Sequence, residues 1–116
     1  MISLAEKLKH IRGFLFLFKR TINNAMATLI KADGTKQEVQ PNNGLDFELE
    51  ELQQFVDGYI EIVNLRNGKI LVVNEEGKDV YPVNEKATDI ALSRNAIFWW
   101  DYICGDVLLC DDEEVK

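Results

Sequence analysis

The chain has 116 residues, 47% of them apolar, and a formal net charge of -7, which suits one domain with a hydrophobic core and is too short for two. Its start is basic: residues 1–25 hold Lys7, Lys9, Arg12, Lys19 and Arg20 against Glu6, a net +4 that leaves -11 on residues 26–116. A body of that charge repels phosphate backbones and excludes duplex nucleic acid as a partner.

In residues 1–25, Ile2, Leu4, Leu8, Ile11, Leu15 and Phe18 recur at near-helical spacing among the basic residues, which predicts a basic amphipathic helix. The longest apolar run, residues 14–18 (FLFLF), is far short of the roughly 20 residues that a spanning helix needs, so stable membrane insertion is excluded. Ala25-Met26-Ala27 resembles a cleavage site, but Lys19-Arg20 interrupts the apolar stretch that a secretory signal requires. A domain start at Met26 makes residues 1–25 either an upstream-start appendage or a helix that packs on the domain, binds a partner or lies on a membrane surface.

Residues 27–30 (ATLI) and 36–40 (KQEVQ) flank Asp33-Gly34, a hairpin signal. Pro41-Asn42-Asn43-Gly44 ends the second strand. Leu49, Leu52, Phe55 and Val56 form one stripe of a short helix, with Glu48, Glu50 and Glu51 at its positive end and Gly58 as a left-handed C-terminal cap.

The following hairpin, residues 58–77, turns at Asn67-Gly68. A two-residue type I′ loop sets Leu65 opposite Ile70, Val63 opposite Val72, Glu61 opposite Asn74 and Tyr59 opposite Glu76. Both faces carry apolar residues, which places the hairpin centrally in a sheet covered on both sides. Residues 79–82 (DVYP) read as a short extended piece with Pro82 at an edge. Asn84 reads as the N-cap of a helix over residues 85–92 that buries Ala87, Ile90 and Ala91. Residues 97–102 (IFWWDY) and 103–110 (ICGDVLLC) are β-rich, and residues 111–114 read as a frayed acidic tail. The whole predicts an α+β domain over residues 26–116, a mainly antiparallel twisted sheet of about five strands, open or partly closed, with two short helices.

Cys104 and Cys110 lie six steps apart, roughly 20 Å along a strand, whereas a disulfide needs Cα atoms within about 7 Å. Two free thiols without basic neighbours read as core filling in a reducing cytoplasm. His10, the only histidine, lies outside the domain, so a Ser-His-Asp or Cys-His mechanism there lacks its base and a histidine-ligated metal lacks its ligands. No Walker or Rossmann loop is present, and no cofactor is called for.

Carboxylates and amides remain. Glu61, Asn74, Glu75 and Glu76 gather at the open end of the hairpin beside Tyr59, with Asn84 shortly after. They read either as a polar site that binds a small ligand or coordinates a hard cation, or as a strand end whose amides satisfy loop backbone. Phe98, Trp99, Trp100 and Tyr102 predict core packing for at least one Trp, and a homo-oligomer interface through Phe98, Trp99 and Trp100 if they are exposed.

Residues 58–63 (GYIEIV), 72–78 (VVNEEGK), 82–84 (PVN), Ala87-Thr88 and 101–109 (DYICGDVLL) together resemble the domain-of-unknown-function 3846 family. The resemblance covers residues 27–110. Asp57 stands where a second glycine is common and Glu48 where a capping Ser is common. The resemblance implies a phage, plasmid or bacterial setting and carries no reaction. The expectation is a non-enzymatic accessory protein that binds a protein partner or a small ligand. The alternatives are a DNA-mimicking or nucleotide-sequestering inhibitor of host defence and, third, a carboxylate-based enzyme.

Overall fold

A computed structural model describes residues 27–116; the predicted N-terminal helix lies outside them. In chain order the elements are β1 (Thr28–Ile30), β2 (Lys36–Glu38), α1 (Leu49–Val56), β3 (Ile60–Arg66), β4 (Lys69–Asn74), α2 (Glu85–Ser93), β5 (Val107–Asp111) and a 3-10 turn (Asp112–Glu114). The strands form one open antiparallel sheet in the order β2-β1-β5-β4-β3. The expected α+β class, five strands and two helices are all present, and the sheet does not close.

Alternation along the central strands separates two cores. Ile70, Val72, Leu108 and Cys110 point to the face covered by Leu52 and Val56 of α1, together with Phe47. Leu71, Val73 and Val107 point to the opposite face, against Ala87 and Ala91 of α2. Because β4 and β5 lie between two apolar layers, both read as nearly continuous apolar runs, as strands covered on both faces do.

Helix α1 begins where the Glu51 carboxylate accepts hydrogen bonds from the Glu48 and Asn42 backbone N–H groups, at 3.1 and 2.9 Å. Its left-handed cap is Asp57 (φ 60°, ψ 49°), one residue before the glycine expected to fill that place. Gly58 serves a different need. A Cβ there would lie 2.7 Å from Nδ2 of Asn74, whose amide donates to the Val56 and Asp57 carbonyls at 2.9 and 3.1 Å. The glycine lets β4 close on the helix end.

The central hairpin departs from the simple register. Arg66 pairs with Lys69 across Asn67-Gly68, as a two-residue loop requires, but a bulge between Asn64 and Arg66 inserts Leu65 and shifts every earlier pair by one. Asn74 therefore opposes Ile60, and Glu61 opposes Val73. Likewise the Glu75 N–H donates to the Tyr59 carbonyl at 2.8 Å, so Tyr59 meets Glu75 and not Glu76. The bulge places Leu65 in the α2-side core. Of the two strands only β4 is central; β3 is the last of the described strands in the sheet.

Three further expectations are corrected. Residues 79–82 form a turn and not an extended piece, because the Val80 and Tyr81 N–H groups donate back to the Gly77 carbonyl. Residues 97–102 form a loop and not a strand, with the Asp101 N–H donating to the Phe98 carbonyl at 2.9 Å. The acidic tail is clasped. Phe47 bridges Val115, its N–H donates to the Glu114 carbonyl at 2.6 Å, and the Lys116 N–H donates to the Phe47 carbonyl at 3.0 Å.

Candidate functional site

The α2-side face of the hairpin's open end and the loop after α2 enclose a depression of about 290 Å³. Its rim is polar, with Glu61 from β3, Glu75 and Glu76 from the turn after β4, and Lys78 and Asp101 opposite. Its floor is apolar, formed by Val63, Val73, Ile97 and Ile103.

Lys78 and Asp101 form an ion pair across 23 positions of sequence. Asp101 also accepts from the Tyr102 N–H at 2.8 Å, and Lys78 Nζ sits 4.9 Å from the centre of the Tyr102 ring. The Lys78 hydrogen bond, with the Tyr102 N–H, holds the Asp101 carboxyl below its ordinary value of 3.8, and the Asp101 hydrogen bond raises Lys78 above 10.5. The pair is open to water on the Lys78 side, half exposed, with Asp101 partly covered, so Asp101→Asn is expected to cost no more than about 1 kcal/mol at neutral pH. The depressed Asp101 contributes above the ordinary carboxylate range and loses its share as pH falls through its folded value. The raised Lys78 contributes at neutral pH and loses its share as pH rises through its own. Urea titrations of wild type and variant should therefore differ near pH 7 and converge toward pH 2.

Of the residues singled out in the sequence, Glu61, Glu75 and Glu76 come together here as exposed carboxylates. Tyr59 lies in an adjoining depression with Gln53, Asp57, Val80 and Tyr81, and Asn74 and Glu76 form the wall between the two. There Tyr81 donates its hydroxyl to the Asp57 carboxylate at 2.6 Å, and this bond raises the phenol above its ordinary value. The Asn74 amide is engaged in structure, since beyond its two donations it accepts from the Glu76 N–H at 2.7 Å.

Asn84 is not brought to this group. It is fully buried beneath the sheet, where its amide donates to the Ile30 and Gly105 carbonyls at 2.9 and 2.8 Å and caps α2 by accepting from the Ala87 N–H at 3.0 Å. Lys78 and Asp101 escaped sequence reading because nothing local ties two charges 23 residues apart.

A second groove of about 540 Å³ continues from the first along the outer side of β3, between Ile62, Asn64 and Arg66 and the loop residues Asn95, Ala96 and Phe98. The loop is anchored by Ile97 and Ile103, both packed in the α2-side core. Between these anchors Phe98, Trp99 and Trp100 stand outside, 66%, 83% and 59% exposed. Phe98 stacks on Trp100 at 4.6 Å between ring centres, and Trp99 meets Trp100 edge-on at 5.7 Å. The expectation that one Trp fills the core is overturned: the core at this point is already closed by the two isoleucines.

Both cysteines are buried and unpaired. Burial, aided by the nearby Glu114 and Asp111 carboxylates, pushes the Cys110 thiol up to about 12, which leaves it inert as a nucleophile. Among the described residues no three His, Cys, Asp or Glu side chains are placed to hold a metal ion, and no helix is long and apolar enough to cross a membrane.

A family model described as Domain of unknown function (DUF3846) matches residues 26–116. Neither the curated proteins nor the solved structures contain a match to the chain.

Proposed function

The chain belongs to the DUF3846 family of unknown function, and from that footing we propose that it is a non-enzymatic protein-binding module, acting in the cytoplasm in the phage or mobile-element setting that the family resemblance implies. The observation that carries this reading is the aromatic cluster. Three large rings are held outside the core in fixed mutual geometry, at the free end of the sheet. Exposing them forgoes about 25 cal/mol for each Å² of apolar surface left in water. Contiguous exposed aromatics mark interaction surfaces, and Trp is the side chain most enriched among residues that dominate binding energy. The carboxylates support the same reading. Glu61, Glu75 and Glu76 are all exposed at the rim of the depression, where they present negative charge to a partner.

A benzophenone amino acid placed at position 99 in the full chain, irradiated in cells of the source organism, should give one discrete polypeptide adduct. The same group at Lys36, on the opposite edge strand, should give none. Against that captured protein, Trp99→Ala should weaken binding by about 30-fold or more, the size of a hot-spot loss. Its unfolding midpoint should stay within a few degrees of wild type, because the ring is 83% exposed. Absence of a discrete adduct, or equal labelling from both positions, overturns the reading.

A further inference from the structure

We propose that the free edge of β3 takes up an extended, basic segment of the partner polypeptide as a sixth strand; this rests on the protein-binding reading above and names the partner's chemistry. Among the described residues β3, which spans Ile60–Arg66, is the longest strand of the sheet and has β4 on one side only. Folded proteins blunt such edges with proline, with charged side chains, with bulges or by keeping the strand short. The opposite edge, β2, is three residues long. β3 carries no proline or lysine; its bulge at Leu65 and the charged Arg66 lie at the turn end, Glu61 lies near the open end, and Ile62 between them is exposed.

The space beside it has the form of a strand's berth. The groove follows β3 from Glu61 to Arg66 and is walled on its far side by Asn95, Ala96 and Phe98. At the turn end the Leu65 carbonyl already accepts from Arg94 and the Arg66 N–H already donates to the Asn64 side chain, so an added strand would pair with the stretch from Glu61 to Asn64, and its alternate side chains would meet Ile62 and the aromatic cluster.

Charge complementarity sets the sign of the occupant. At the open end the groove meets Glu61, Glu75, Glu76 and Asp101, against which, among the described residues lining it, only Lys78 stands. At the turn end it meets Arg66. A Lys or Arg side chain is therefore accepted near Glu61 and Glu76, apolar residues lie at the centre, and a neutral or acidic residue meets Arg66. The aromatic faces of Trp99 and Trp100 give a second place for the cationic group.

The test uses the full chain and a library of random 12-residue peptides displayed on phage. Enriched peptides should carry Lys or Arg with alternating apolar residues, and a synthetic peptide of the enriched sequence should shift the backbone amide resonances of residues 60–66. N-methylation at alternate positions of that peptide should abolish binding in one phase and spare it in the other, as pairing along one strand edge requires. Glu61→Lys combined with Glu76→Lys should weaken it at least tenfold, and raised salt should weaken it in wild type. The proposal is overturned by no enrichment, by acidic or uncharged consensus peptides, by shifts away from residues 60–66, or by indifference to N-methylation. It is also overturned if sedimentation shows a homodimer that shields Trp99 and Trp100 from quenchers, since a second copy then holds the edge. If any of these occurs while position 99 still captures one protein, strand addition falls and the protein-binding reading stands.

Discussion

Asn84→Ala is expected to destabilise the domain by about 4 kcal/mol, because three buried backbone groups lose their partner together. Nδ2 of Asn84 satisfies the Ile30 and Gly105 carbonyls, and Oδ1 satisfies the Ala87 N–H. Loss of a helix cap alone costs about 1 kcal/mol, and each buried group left unpaired adds about 1–3. The side chain ties the end of β1, the segment before β5 and the start of α2 into one junction, so no single neighbour can relax to replace it. Urea denaturation of variant and wild type measures the difference, and a loss below about 1.5 kcal/mol would show that water or rearrangement replaces the amide.

Asn84→Asp separates the cap from the clamp. A carboxylate can still accept from Ala87, but it sets negative charge against two carbonyl oxygens in a dry site, so its folded pKa rises above the unfolded one. Its stability is then greatest below the unfolded carboxyl value of about 3.9 and falls as pH rises through the folded value. The deficit relative to wild type should be larger at pH 7 than at pH 4. A deficit independent of pH would mean that the two carbonyls do not sense the charge.

Phe47→Ala is expected to cost about 3–5 kcal/mol, the range for deleting a buried aromatic ring. Phe47 is the largest fully buried side chain and meets Phe55 of α1 edge-on at 5.8 Å. Its backbone also clasps Glu114 and Lys116. Losing the ring should therefore loosen the C-terminal turn as well as α1. Hydrogen exchange at Val115 and Lys116 should speed up together with exchange in α1, and denaturant titration should give the free energy. Fast exchange in α1 with the tail still protected would show that the two are held independently.

The helices were legible in the sequence because their signals are local. Leu52 and Val56 repeat at helical spacing, Asn84 sits one residue before a run with Ala87 and Ala91, and both helices lie within a residue of where those patterns place them. The turn residues Asp33-Gly34 and Asn67-Gly68 likewise mark where the chain reverses. Aromatic content misled at residues 97–102, where strand propensity is high but Ile97 and Ile103 alone reach the core. Propensity there described a surface loop built for exposure.

The candidate site was half legible. Glu61, Glu75 and Glu76 were found from a hairpin register wrong by one residue, since the bulge at Leu65 moved Asn74 out of its pairing with Glu61 while Glu61, Glu75 and Glu76 kept to one depression. Lys78, Asp101 and the groove along β3 were not found. The local mark of the bulge is slight, an Asn64 side chain that accepts from the Arg66 N–H at 2.7 Å across Leu65, while Leu65 itself packs in a core shared with α2 and β5.

By itself the sequence determined the class of domain, its family, its acidic charge and the absence from residues 26–116 of any histidine. These depend on composition, on periods of two and of 3.6, and on turn residues, all of which act within a few positions along the chain. Only the tertiary structure decided that β3 is an edge, that the Phe98–Trp100 cluster stands outside the core, and that the Asn84 amide closes a junction in the core. Each of these is a competition among distant segments for a limited buried volume, and such a competition is settled by packing and not by any one segment's preference.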